Sequence, residues 1–340
     1  MTSAVNSGGI SVSAGSNGQV AGIVGASQGH LTLTSVSNQA VIAGADYTGG
    51  LVGMHTGLGL VVSSSHNAGQ VTGGTNDGGL AGELDGSGVA TLSGVANHSS
   101  VDGSEYIGGL VGLTDIETRF VRAKNESSVQ ASTDIAGGLV GYADEDANLS
   151  IEISFNSGTV TVTNSNKKAG GLLGWSEGSP YSIIDSYNSG QIVSDRIGPI
   201  VGWDASDSVG AVMTRVAAFP ASSQATTEDG LVAGWSSDVT VTAVYTFEAS
   251  TLVSSSSVAE LKSASTYTGW DFDSVWAFGG CDLNSGFPVL RWANEGVTFF
   301  DQSCGVNSSS SPVVSSGGSG GSGGSTPAPS RTPTAYSGPM

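Results

Sequence analysis

Gly108-Gly-Leu-Val-Gly112 and Gly137-Gly-Leu-Val-Gly141 decide the fold, because the same pentapeptide recurs along the whole chain. Further copies stand at Ala21-Gly-Ile-Val-Gly25, Gly49-Gly-Leu-Val-Gly53, Gly78-Gly-Leu-Ala-Gly82, Gly170-Gly-Leu-Leu-Gly174 and Gly198-Pro-Ile-Val-Gly202, with a slipped eighth copy at Gly230-Leu-Val-Ala-Gly234. Their first apolar residues, Ile23, Leu51, Leu80, Leu110, Leu139, Leu172, Ile200 and Leu231, follow at intervals of 28, 29, 30, 29, 33, 28 and 31 residues. A period held eight times identifies a repeat architecture and places these residues in its core.

A second element keeps the same beat. An Asn followed by a turn and a β-branched residue recurs at Asn6, Asn38, Asn67, Asn97, Asn125, Asn156 and Asn188, most clearly in Ser65-His-Asn-Ala-Gly-Gln-Val71, Ser154-Phe-Asn-Ser-Gly-Thr-Val160 and Ser186-Tyr-Asn-Ser-Gly-Gln-Ile192. These are turn signals leading into strands. Helical spacing is absent from the repeats, whereas Leu31-Thr-Leu33 and Val160-Thr-Val162 alternate with the period of a strand. Each repeat is expected to hold three short strands, at Gly-Leu-Val-Gly, before the Asn and after the following Gly. Such a unit buries no face alone, so the expected fold is all-β, a parallel β-solenoid of about eight three-stranded coils stacked at ~4.8 Å per rung. Glycine serves coil corners and close backbone approach. The repeated Asn has two readings: a ladder bonding coil to coil through Asn38, Asn67, Asn97, Asn125, Asn156 and Asn188, or a local turn in each coil.

Leu and Val are adjacent in the pentapeptide, and a regular strand cannot point both inward. The second stripe, Val24, Val52, Ala81, Val111, Val140, Leu173 and Val201, is therefore expected outside unless a bulge intervenes. The residue after the final Gly becomes aromatic at Tyr142, Trp175, Trp203 and Trp235 and is expected to share that face. Outside, it would dock the tail or a partner, or stack on sugar rings; inside, it would widen the core.

Composition narrows the function. Of 340 residues 53 are Gly and only 11% are charged, with 29 acidic against 10 basic side chains and a net charge of −19. That balance offers no basic patch, which argues against nucleic acid and anionic membrane surfaces as partners. No apolar run reaches the ~20 residues of a spanning helix, so direct membrane insertion is not expected. Met1-Thr-Ser-Ala-Val-Asn6 has neither the basic nor the apolar region of a signal peptide, and the start is read as a processed or trimmed end.

Three segments are expected: solenoid repeats over 1–250, a C-terminal cap over 251–306 and a Ser/Gly/Thr/Pro-rich linker or assembly tail over 307–340. In the cap, Val239 to Phe247 reads as a final strand and Ser257-Val-Ala-Glu260 matches a capping box that starts a short helix. Trp270, Phe272, Trp276, Phe278, Phe287 and Trp292 are expected to close the open end of the core. Cys281 and Cys304 are expected to form a disulfide that staples this end, which implies an oxidising compartment. The tail reads as a disordered, O-glycosylated stalk, with Thr326, Thr332 and Thr334 as acceptors, or as a segment that docks on a neighbouring subunit.

The repeats resemble the GLUG-motif repeats of bacterial and other surface proteins over about residues 1–235, and Tyr267-Thr-Gly-Trp-Asp-Phe-Asp-Ser-Val-Trp276 with Phe287-Pro-Val-Leu-Arg-Trp292 resembles the segment that commonly closes such arrays. The resemblance implies surface display, adhesion or scaffolding rather than a conserved reaction. Some members carry an immunoglobulin-cleaving metallopeptidase domain, and the absence of His-Glu-x-x-His here means that this activity does not transfer. Pro199 and the slipped eighth copy depart from the pattern, so the last coils are expected to be irregular.

Reactive chemistry is sparse. His30, His55, His66 and His98 lack metal-ligand spacing, and His66 and His98, flanking the repeat Asn, read as turn variants. Asp144, Glu145 and Asp146, with Asn148, have the hard oxygens of a Ca²⁺ site without the spacing of an EF-hand, so a solvated loop competes with a metal. A polysaccharide-degrading β-helix would need clustered carboxylates, for which Asp185, Asp195, Asp204 and Arg215 are the available set. Glycosylation sequons stand at Asn97, Asn125, Asn148 and Asn307; two coincide with the Asn ladder, which leaves Asn148 and Asn307 as acceptors. The sequence thus points to an extracellular, cell-surface or secreted structural subunit of an appendage or self-assembled fibre, not an enzyme, with itself as main partner. Alternatives are an adhesin for glycans or matrix proteins, and a polysaccharide-degrading enzyme.

Overall fold

The pentapeptide makes a corner rather than a straight strand. The amides of Leu51 and Val52 both donate to the carbonyl of Leu80 (2.9 and 2.8 Å), those of Leu80 and Ala81 to Leu110 (2.8 and 2.9 Å), and those of Leu139 and Val140 to Leu172 (2.9 and 3.0 Å). Two residues facing one partner is the geometry of a bulge. It turns both side chains inward: Leu51, Val52, Leu80, Ala81, Leu110, Val111, Leu139, Val140, Leu172, Leu173, Ile200 and Val201 all belong to one buried core, with Ile23 and Val24 packed against it. The expected outward stripe from Val24 to Val201 is thereby corrected.

The same bulge splits one expected strand into two, so coils run through four sheets instead of three. The coil that starts at Asp77 illustrates the path: Asp77–Gly78 in sheet C, Ala81–Leu84 in sheet D, Val89–Asn97 in sheet A, Val101–Gly103 in sheet B. Each strand pairs in parallel with its equivalents in the coils before and after, with Asn67 opposite Asn38 and Asn97, and Val71 opposite Ile42 and Val101. Sheets C and D have eight strands each, matching the eight pentapeptides, and sheet B has seven. The computed structural model describes residues 1–11, 18–205, 210–219, 228–229, 232–234, 239–247, 254, 256–279, 283–294 and 299. All belong to the unit Met1–Asn307; Ser308–Met340 forms the second unit.

Sheet A carries a kink in every coil. Ser3, Ser35, Ser64, Gly94, Arg122, Ile153, Asp185, Arg215 and Ala243, at equivalent places, all have φ between 48° and 59°. Eight of these nine are not glycine, in a region that L-residues seldom enter. The kink reverses the alternation, so that the Asn three residues later points into the coil. It also breaks the expected final strand into Thr240–Thr242 and Tyr245–Thr246.

The C-terminal segment bears on the side of sheet A. Ser257 and Glu260 form the expected capping box on the helix Val258–Leu261, and Trp276–Phe278 pairs antiparallel with Pro288–Leu290. Their aromatic cluster packs on Phe155, Tyr187, Ala217 and Phe219, with Ile153, Ala243 and Tyr245 at its margin. Phe155, Tyr187, Ala217 and Tyr245 precede the ladder position in four successive coils, where the residue at that position, Asn156, Asn188, Ala218 or Thr246, is buried on the other side of the strand. Among the described residues the cluster therefore clamps the flank of these coils, where the large apolar surface it covers lies.

Candidate functional site

The repeated Asn and the pentapeptide prove to be two halves of one lock. Nδ2 of Asn6 donates to Oδ1 of Asn38 (2.9 Å), and the link repeats from Asn38 to Asn67 (2.8 Å), Asn67 to Asn97 (2.9 Å), Asn97 to Asn125 (2.9 Å), Asn125 to Asn156 (2.8 Å) and Asn156 to Asn188 (2.9 Å). From Asn38 onward the other N–H closes a turn on the carbonyl two residues later, at Ala40, Gly69, Ser99, Ser127, Gly158 and Gly190. Ladder and local turn thus coexist, one N–H for each. A Cβ on Gly22, Gly50, Gly79, Gly109, Gly138 or Gly171 would lie 2.5–2.7 Å from Cγ of Asn38, Asn67, Asn97, Asn125, Asn156 or Asn188 respectively. The second Gly of each pentapeptide is therefore the space that the Asn of the same coil fills. One coil changes both halves together: Pro199 stands in the glycine place, and Ala218 stands opposite Asn188.

Outside the bulge, a second array seals the corner between sheets C and D. Met54, Glu83, Leu113, Tyr142, Trp175 and Trp203 are in register along sheet D, and Lys168 pairs with Arg196 along sheet C. The rings interlock: Tyr106 stacks on Tyr142 at 4.7 Å, and Tyr142 meets Trp175 edge-on at 5.6 Å. Lys168 Nζ lies 3.6 Å from the centre of Trp175 and 4.5 Å from that of Trp203, while the Arg196 guanidinium lies 5.0 Å from Trp203. Tyr142 donates its hydroxyl to Glu177. The stripe Tyr142, Trp175 and Trp203 thus stands outside the core, but away from the face of the second apolar residue, and protein cations cover the indole faces that a sugar ring would need. Trp235 lies outside the described residues, as does Leu231, the eighth residue expected in the core.

Three indoles fasten the C-terminal segment to the kink row. Trp292 Nε1 donates to the Ile153 carbonyl (2.8 Å), Trp276 Nε1 to Asp185 Oδ1 (3.0 Å) and Trp270 Nε1 to the Ala243 carbonyl (3.0 Å). Arg215, one coil beyond Asp185, grips the same carboxylate through Nε (2.7 Å) and a terminal nitrogen (2.6 Å). The carboxylates considered for catalysis do not converge. Asp185 and Arg215 hold the clamp, Asp204 is buried and accepts from the Tyr181 hydroxyl (3.3 Å), and Asp195 accepts from the Asn166 amide (2.6 Å).

Asp144 caps the Glu145 amide (2.8 Å), and among the described residues no group of three or more His, Cys, Asp or Glu is arranged to hold a metal. Burial and the neighbouring carboxylates of Asp144, Asp85 and Asp146 push the Asp115 carboxyl above its ordinary range. His66 and His98 flank successive ladder residues with ring centres 5.9 Å apart. The His98 hydrogen bond, with Lys124 beside it, holds the Glu126 carboxyl down at about 2. Asn97 and Asn125 are fully buried in the ladder, whereas Asn148 is exposed at a turn with φ 37°. Cys281, Cys304, Asn307, Thr326, Thr332 and Thr334 lie outside the described residues. Among the described residues no helix is long and apolar enough to cross a membrane.

The Gly–Asn pairing went unread in the sequence although both motifs kept one beat; its signal was the coincidence of Pro199 with a missing Asn. The clamp had a signal too, in the change at the residue before the Asn from His66 to Phe155 and Tyr187. The kink row had none, since Ser, Gly, Arg, Ile, Asp and Ala share no feature. No family model matches this chain, and neither the curated proteins nor the solved structures provide a match.

Proposed function

We propose that the chain is an extracellular, non-catalytic scaffold, a β-solenoid subunit of a surface appendage or self-assembled fibre. The unbroken amide ladder carries this reading. Six inter-coil links in line with the stacking direction, five of them between buried side chains, add resistance to bending and stretching beyond the backbone ladders. The aromatic residues support the same role, since Lys168 and Arg196 cover the indole faces of the seam and Trp270, Trp276 and Trp292 hold the clamp. The low charge content and the resemblance to GLUG-type surface repeats support an extracellular setting.

Analytical ultracentrifugation of the full chain over a wide concentration range, followed by electron microscopy and fibre diffraction, tests the proposal. Concentration-dependent filaments with a meridional reflection near ~4.8 Å are expected, because the strands stack along the rod. A chain that stays monomeric throughout and binds glycans on an array would replace the scaffold by the adhesin.

A further inference from the structure

Sheets B and C enclose an apolar stack on one side of the coil, and that stack is interrupted once. Val20, Ala40 and Ile42 form one cluster; Val71, Val101, Ile107, Val129 and their successors form another. At the break stand two fully buried polar side chains on neighbouring sheet C strands, Thr48 and Asp77, where the following coil has Ile107. Asp77 Oδ1 accepts the Thr48 amide (3.1 Å). Its Oδ2 and the Thr48 hydroxyl have no hydrogen-bond partner. The space is made for them: a Cβ on Gly73 or Gly103 would run into the Asp77 carboxyl, and one on Gly44 into the Thr48 side chain.

We propose that the Thr48–Asp77 layer is a proton-gated seam, closed while Asp77 holds a proton and opened by its loss, so that the coils before Asp77 separate and bare the strand edges of the next coil. A proton resolves the orphaned carboxyl oxygen; a buried charge with an unpartnered oxygen does not persist in an apolar stack. Burial drives the carboxyl from 3.8 to about 8, with the bond from the Thr48 amide opposing and the like charge of Asp46 adding to the shift. The closed state therefore binds the proton more tightly than the open one, and opening becomes easier as pH rises between those two values. Two histidines in these coils titrate in the opposite sense; burial and the neighbouring His98 hold His66 below its ordinary value. His55, bonded to Ser27 (2.7 Å), is held below its ordinary value by burial and by His30, so its protonation favours opening below pH 6.5.

The test is hydrogen exchange read by mass spectrometry on the full chain between pH 6.5, above the His55 effect, and pH 8, with intrinsic exchange corrected. Opening across residues 20–72 is expected to rise about fifteenfold over that window, the linkage value for a closed-state carboxyl at about 8, while residues 107–188 stay constant. Asp77→Asn should abolish the slope. A wild-type slope of zero, a slope shared equally by all coils, or an unchanged slope in a folded Asp77→Asn chain overturns the seam; the wild-type comparison stands even where the variant fails to fold. This outcome is independent of filament formation, so the seam and the scaffold role fail separately.

Discussion

Asn97→Ala removes the middle of the ladder. Asn97 donates to Asn125 Oδ1 (2.9 Å) and to the Ser99 carbonyl (2.7 Å), and it accepts from Asn67 Nδ2 (2.9 Å). Alanine leaves those three groups without that partner, two of them side-chain atoms of fully buried residues. At about 1–3 kcal/mol for each buried group left unsatisfied, and allowing for relaxation, the loss is about 3–6 kcal/mol. Asn6→Ala is the internal control, because Asn6 makes a single ladder link and is only half-buried; about 1 kcal/mol is expected there. Urea unfolding followed by circular dichroism reads both, with hydrogen exchange localising the effect, since repeat arrays unfold in parts. The expected pattern is loss of protection over residues 66–125. Equal costs for the two variants would refute the idea that the ladder holds the coils and return the Asn to a local turn former.

Gly109→Ala places a Cβ 2.6 Å from Asn125 Cγ and against the Gly138 carbonyl; overpacking of about 1–3 kcal/mol should lower the urea midpoint, whereas Gly8→Ala, with nothing within 4 Å, should leave it unchanged. Ala218→Asn alone is expected to destabilise, since Pro199 fills the glycine place, and Pro199→Gly to restore it by extending the ladder past Asn188. A double-mutant cycle with a coupling below about 0.5 kcal/mol would disprove that pairing. Trp276→Phe keeps a six-membered aromatic ring but loses the bond to Asp185 (3.0 Å) and leaves a small cavity at a fully buried site; a loss of about 2–4 kcal/mol is expected, read as faster exchange over residues 257–294 and not over 107–131.

Periodicity was the legible part of this fold, because from Gly22 to Asn188 each coil needs a glycine without a Cβ and the asparagine that fills its space. Leu51 and Val52 show what period alone withholds: alternation assigns one of them to solvent, and only the bulge, a property of two amides sharing one carbonyl, brings both inside. The extra sheet follows from the same bulge. The side-on clamp was hidden by an assumption that aromatic residues near a repeat end must close that end, although Phe155 and Tyr187, far from it in sequence, already marked the covered flank. Asp77 reads in the sequence as a polar residue near a turn. Its burial depends on Gly73 and Gly103, which only the stacked backbone brings over it.

The clamp also divides the array by its capacity for genetic change. Outside the Thr48–Asp77 layer, coils that make no contact with the clamp are interchangeable at their joints, since each presents the same registers above and below, so unequal crossing-over can duplicate or delete a whole period there without a new interface. Coils from Ile153 to Ala243 are individually addressed: one supplies a carbonyl to Trp292, another a carboxylate to Trp276 and Arg215, another a carbonyl to Trp270. Length should therefore vary among descendants at the amino-terminal side of the array, with the carboxyl-terminal coils inherited as a block.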